Sequence, residues 1–187
     1  AAEDLARSGH RVALLDREGR IKPCGGAIPP RLMQDFDIGE DQLVAQLNTA
    51  RMISPTGRHV DIPIENGFVG MVDRKDFDPF LRARAEAAGA VRFTGTFVRI
   101  DRDKKAKKRW VVYRDKETGE ERQLETRLII GADGANSRVA RDEIPGGDKV
   151  PLVFAYHEII AAPEKNDLYD PMRCDVIYDG AISPDFY

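Results

Sequence analysis

Short apolar runs alternate with polar segments rich in glycine and proline, and both helical and strand periodicities occur along the chain. Residues 1–9 have the pattern of the later part of a helix, with Gly9 as its C-terminal cap. Arg11-Val-Ala-Leu-Leu-Asp16 follows as a short apolar strand ending in an acid. Residues 17–30 contain Pro23 and the pair Gly25-Gly26, which predict a long loop. Residues 31–50 are expected to be helical in part. Arg51 to Val72 predicts short strands, with Pro55-Thr-Gly57 as a hairpin turn. The strongest helix opens at Asp73, its expected N-cap, with Asp76 as a weak capping-box partner. Phe77, Phe80, Leu81, Arg84 and Ala88 recur at helical spacing, and Gly89 ends the run. Val91–Ile100, Trp110–Arg114 and Arg122–Arg127 predict a three-stranded antiparallel meander. Leu128–Gly131 is expected to return to a parallel sheet. Pro151–Ile160 and Cys174–Tyr178 predict strands of a further region.

Composition narrows the class. With 187 residues, 42% hydrophobic and 33% charged, the chain suits a globular fold of one domain or a little more. A formal net charge of -3 argues against global attraction to nucleic acid or anionic lipid. Cys24 and Cys174 form no framework of disulfides, which points to a reducing compartment. His10, His59 and His157 show no paired spacing, so no metal site is expected. No apolar run approaches the ~20 residues needed to span a bilayer, and no signal peptide is recognised. Both ends look cut, which predicts a fragment of a longer protein.

Two acids carry the candidate chemistry. Helix, glycine turn, strand and terminal acid is the later half of a dinucleotide-binding βαβ unit, whose glycine fingerprint would lie ~20 residues before Asp16, upstream of residue 1. Asp16 would then hold ribose hydroxyls; the alternative is a surface acid at a strand end. The segment Leu128-Ile-Ile-Gly-Ala-Asp133-Gly134-Ala-Asn-Ser-Arg138 has the pattern of a strand delivering a carboxylate to a strand-to-helix corner. Asp133 there could accept bonds from ribose or ribityl hydroxyls, or could simply cap the next helix. The basic run from Lys104 to Arg109 lacks interleaved aromatic residues, so a solvated hairpin tip outweighs a nucleic-acid or lipid contact.

Taken in order, the Leu15-Asp16 strand tip, Lys22-Pro-Cys24-Gly25-Gly26-Ala-Ile-Pro29, Gly70-Met-Val-Asp-Arg74-Lys-Asp-Phe-Asp78 and Gly131-Ala-Asp-Gly-Ala-Asn-Ser-Arg138 resemble the flavoproteins related to aromatic hydroxylases. The Cys-Gly-Gly segment narrows the resemblance to the geranylgeranyl reductases of the chlorophyll and bacteriochlorophyll branch. The resemblance implies an α/β, glutathione-reductase-like FAD-binding fold: a parallel sheet, an antiparallel meander and the start of a second, substrate domain. Residues 1–148 would form the FAD/NAD(P)-binding domain without its N-terminal glycine loop. Residues 149–187 would begin the substrate-binding region, with Phe154 and Tyr156 in its first strand.

Residue by residue, the resemblance implies that Asp16 holds the adenosine ribose of FAD. Cys24 and Gly25 line the cofactor, and Arg74 reaches the flavin-side phosphates or ribityl chain. Val98 offers main chain to the adenine. Asp133 and Gly134 contact FAD and help place the nicotinamide cofactor. Ala140 stands where related hydroxylases carry an arginine, so no dinucleotide phosphate contact is assigned there or to Arg141. The bland alternatives are a surface ion pair for Arg74 and a small buried hydrophobe for Cys24.

The implied reaction is saturation of carbon–carbon double bonds in a geranylgeranyl chain, free as the diphosphate or esterified to a pigment, with FAD and NADPH as cofactors. An isolated alkene needs a proton donor opposite the hydride, and Cys24 or a bound water would supply it. The alternatives are a flavin-dependent aromatic monooxygenase of the same fold and a non-catalytic flavin-binding subunit. The expected partner is the isoprenoid or pigment-ester substrate, with no nucleic acid. A cytoplasmic location, peripheral to a photosynthetic membrane, follows from a lipidic substrate.

Overall fold

The computed structural model describes residues 1–181 except Arg20, Pro23, Asn66, 153–155 and 165–167. In chain order the elements are α1 (Ala2–Arg7), β1 (Ala13–Asp16), β2 (Ala27–Ile28), α2 (Pro30–Asp35), a 3-10 turn at Glu40–Gln42, β3 (Ala45–Leu47) and β4 (Thr49–Ile53). Then come β5 (His59–Pro63), β6 (Val69–Met71), α3 (Arg74–Ala87), β7 (Val91–Asp103), β8 (Lys108–Asp115), β9 (Glu121–Glu125), α4 (Arg138–Glu143) and β10 (Arg173–Ile177). They divide into two compact units, residues 1–20 with 81–152 and residues 21–80 with 153–187.

The first unit is built on the sheet β1-β7-β8-β9. β1 runs parallel to β7 from Ala13↔Val91 to Asp16↔Thr94, and the β7–β8–β9 meander is antiparallel, as its sequence predicts. Val112 and Tyr113 are buried, and the Tyr113 ring meets Phe93 edge-on at 6.0 Å. Glycine closes α1 as expected. Gly9 has φ +80°, its N–H donates to Ala6 O, and the His10 N–H donates to Leu5 O at 3.0 Å. The same pair of bonds closes α3 at Gly89 and Ala90. Glu3 ties α1 to Arg84 at 2.9 Å.

The second unit holds two small sheets, β10-β4-β5 and β2-β6-β3. β4 and β5 form the predicted hairpin, turning at Gly57 with φ +78°. Ile28, Met33, Ile38, Val72 and Phe77 make its core, with Leu32, Leu43, Phe68 and Phe80 packed around them.

Residues 31–50 are helical in part, as expected: α2 and one 3-10 turn lie there, and β3 and the start of β4 occupy much of the rest. Two sequence expectations need correction. Leu128–Gly131 makes no ladder among the described residues, and Leu128 and Ile130 are 71% and 56% exposed. An apolar run signals burial, but a strand exists only where another strand accepts its backbone bonds, and composition cannot name that partner. The same holds for the described part of Pro151–Ile160, where Tyr156, Ile159 and Ile160 are exposed and unpaired by any strand. Phe154 lies outside the described residues. Among the described residues no helix is long and apolar enough to cross a membrane.

Candidate functional site

In the first unit, β1 delivers Asp16 to the carboxyl end of a parallel strand, where open α/β sheets bind nucleotides. The Glu18 N–H donates to Asp16 Oδ1 at 2.7 Å, and Arg82 Nε stands 3.6 Å from the same oxygen. The second carboxylate oxygen is thus the one available to a hydroxyl. The turn beyond is tight: Glu18 has φ +55° and Gly19 φ +75°. A hollow of about 450 Å³ opens beside it, lined by Arg17, Gly19, Thr96, Arg114 and Lys116 among others.

The Asp133 corner also belongs to the first unit. Ser137 Oγ donates to Asp133 Oδ1, while the N–H groups of Arg138 and Val139 donate to Oδ2 at 2.7 and 3.2 Å. Asp133 and Ser137 together cap α4; Ser137 Oγ accepts from the Ala140 N–H at 2.9 Å. Partial burial opposes ionisation of Asp133, but the Ser137 and backbone donors outweigh it and hold the carboxyl below its ordinary range. The side chain therefore does what the capping alternative describes, and what it leaves for a ligand is the glycine backbone. Gly134 adopts φ +87°, open to one side with nothing near a would-be Cβ.

Val98 stands at a β-bulge. Phe97 pairs with Tyr113 and Arg99 with Val112, leaving Val98 unmatched. Arg138 holds that bulge, donating to Val98 O at 2.8 Å and Phe97 O at 3.3 Å with its guanidinium 5.9 Å from the Phe97 ring centroid. Arg138 was not among the residues singled out from sequence. An arginine after a cap serine gives no hint that it reaches a strand some forty residues earlier.

In the second unit, β2 pairs antiparallel with β6 through Ala27↔Met71 and Ile28↔Gly70. That register places the loop just before β2 beside the chain just after β6, so Cys24–Gly26 lies against Val72–Arg74. The Gly26 N–H donates to Cys24 Sγ at 3.4 Å, and the Val72 N–H donates to Gly26 O at 3.0 Å. Asp73 begins α3 by accepting from the Lys75 N–H at 2.8 Å, as an N-cap does. Arg74 pairs with Asp78 at 2.7 Å. That carboxylate, opposed by burial and supplemented by Cys24, raises the guanidinium above its ordinary range. Cys24 is exposed, so the buried-hydrophobe alternative does not describe it. A Cβ at Gly25 would meet nothing within 4 Å, whereas Gly26 is sterically required.

The structure thus gathers Cys24, Gly25 and Arg74 in one unit and Asp16, Val98, Asp133 and Gly134 in the other. Within the latter, Arg138 links the Asp133 corner to Val98.

A parallel strand ending in a carboxylate with one oxygen available, beside a glycine corner and a bulged neighbour strand, defines a nucleotide-binding α/β domain. Residues 2–149 match the FAD binding domain family, and the chain belongs to that family. It is 68% identical over all 187 residues to a geranylgeranyl diphosphate reductase of Rhodobacter capsulatus, covering 47% of that protein. It is 37% identical to the chloroplastic geranylgeranyl diphosphate reductase of Oryza sativa subsp. japonica, covering all of this chain and 42% of that one. The chain therefore spans about half the length of the curated relatives it matches. A solved structure, a geranylgeranyl bacteriochlorophyll reductase-like protein of Thermoplasma acidophilum, superposes with a TM-score of 0.71 over 95% of this chain and 46% of its own. At 16% identity that likeness speaks for the fold alone.

Proposed function

We propose that the intact protein is an FAD-dependent reductase that saturates the double bonds of a geranylgeranyl chain with NADPH, in chlorophyll or bacteriochlorophyll biosynthesis. The observation that carries this reading is the identity to the Rhodobacter capsulatus reductase, which runs through the whole chain. On the same reading the fold is glutathione-reductase-like, with residues 1–148 serving the cofactors and 149–187 beginning the substrate region. The substrate is a geranylgeranyl diphosphate or pigment ester, and a lipidic chain of that kind brings the protein to a membrane surface.

The residues present fit FAD. Asp16 keeps one carboxylate oxygen for ribose hydroxyls, Val98 stands at the bulge without a cross-strand match and with its carbonyl held by Arg138, and Gly134 leaves its backbone open. Arg74 is a permanent cation at the start of a 14-residue helix, suited to a phosphate or ribityl oxygen. Bound FAD would supply the hydride chemistry. Cys24 is the proton-bearing group we assign to the alkene carbon opposite the hydride; its exposure leaves it accessible, and the Gly26 N–H orients its sulfur. Asp133 stays ionised and engaged with α4, so it positions the corner and does not donate a proton.

The test uses the intact protein with FAD, NADPH and geranylgeranylated chlorophyll or bacteriochlorophyll, without oxygen. The pigment tail should gain mass in steps of two hydrogens, and Cys24→Ala should slow that gain while FAD stays bound. An unchanged tail, with NADPH consumed only on admission of oxygen, would overturn the reductase reading in favour of a monooxygenase.

A further inference from the structure

The hollow beside Asp16 carries charge that the reading above leaves unused. Two acids line it, and both are engaged. Glu18 accepts from Arg92 at 2.8 Å. Asp115 accepts from the N–H groups of Glu117 and Thr118, each at 3.0 Å, and faces Arg122 at 3.4 Å. Lys116 stands 3.8 Å from Glu18. Arg114 is held far more loosely. Its ion pair with Glu121 is 3.9 Å long, while Arg99 reaches that same carboxylate at 2.8 Å, and the Arg114 side chain is 62% exposed.

Arg114 also lines a second hollow of about 210 Å³, with Thr96, Phe97, Val98 and Arg138. Thr96, its partner across the ladder, lines both. Arg114 therefore stands at the junction of two hollows, one at the Asp16 strand end and the other at the Val98 bulge. A planar guanidinium without a close carboxylate can stack on a purine and still attract a phosphate.

We infer that Arg114 is a further cofactor-binding residue, one that recognises the adenosine half of the dinucleotide. The inference rests on the FAD reading. Because the side chain is solvent-facing, its effect is moderate, about two- to fivefold in affinity.

The experiment titrates the FAD-stripped intact protein with FAD, and separately with ADP, for wild type, Arg114→Ala and Arg114→Glu. FAD and ADP should weaken by the same factor in Arg114→Ala and by more in Arg114→Glu, with unfolding temperatures of the stripped proteins unchanged. FAD affinities within twofold of wild type in both variants would overturn the inference. So would a loss for FAD that ADP does not share. A protein that binds ADP through Arg114 but never FAD overturns the flavin reading alone; one that binds neither overturns both.

Discussion

Gly26 and Val72 touch backbone to backbone: a Cβ at residue 26 would lie 2.1 Å from the Val72 carbonyl oxygen, and φ at Gly26 is +78°. The Val72 N–H closes the contact by donating to Gly26 O at 3.0 Å. Two residues beyond Val72 stands Arg74, and two before Gly26 stands Cys24. The position of the thiol beside the guanidinium thus depends on one residue having no side chain.

Gly26→Ala should therefore be costly. It adds both a clash with main chain and a left-handed conformation that alanine resists, together about 2 kcal/mol or more. For a chain of this size that is a fall of roughly 5 °C in unfolding temperature. Gly25→Ala is the control. Its would-be Cβ meets nothing within 4 Å, so its melting curve should overlay that of wild type.

Arg74 and Asp78 should prove coupled. Their side chains are 21% and 12% exposed, and they meet at 2.7 Å. Removing Arg74 alone leaves a largely buried carboxylate without its cation, at a cost of about 1–3 kcal/mol. Arg74→Ala with Asp78→Ala should be less destabilising than the sum of the two single changes. Urea unfolding of all four proteins measures the coupling, and simple additivity would show that the pair does not act as one.

Much of this was legible from spacing. The glycines at 9 and 89, the hairpin at Pro55-Thr-Gly57, the Asp73 cap and the three meander strands are local signals, each set by a few neighbouring residues, and all stand where expected. What failed was non-local. Leu128–Ile130 has the composition of a buried strand but no ladder among the described residues, because composition does not name a partner. Arg138 and Arg114 were passed over because their roles depend on the register of β7 with β8, and on a bulge at Val98 that no residue type announces. Gly26 and Gly25 are adjacent and identical in sequence; only the backbone across from Gly26 separates them.

Acid should loosen the α4 corner. The Asp133 carboxyl is lowered in the folded chain, as are those of Asp115, through the Thr118 N–H, and Asp61, through Arg51. A native value below that of the unfolded chain means the stabilisation is complete above about pH 4 and is lost as pH falls through the lowered native values. Asp133→Asn should flatten part of that acid slope. Ser137→Ala, which removes the cap acceptor for the Ala140 N–H, should cost about 1 kcal/mol at neutral pH. Unfolding curves from pH 7 down to pH 3 would show both, and an unchanged slope in Asp133→Asn would mean the corner carries none of the acid sensitivity.

Asp16 separates turn from ligand. Its Oδ1 accepts the Glu18 N–H at 2.7 Å, a bond that fixes the turn entering the hollow. Asparagine keeps an acceptor at Oδ1 for the turn but gives up the charge facing Arg82, so Asp16→Asn should still fold, with a smaller loss of stability than Asp16→Ala. The amide lacks the negative charge that strengthens bonds from ribose hydroxyls, and a hydrogen bond to a charged group contributes about 1.5–3 kcal/mol. FAD affinity should therefore fall by roughly ten- to a hundredfold in Asp16→Asn. Asp16→Ala should lose both the turn bond and the affinity. The readings come apart cleanly in flavin titrations paired with melting curves. If Asp16→Asn binds FAD as wild type does while Asp16→Ala merely melts earlier, then Asp16 is the surface acid of a strand end and the ribose must be held elsewhere.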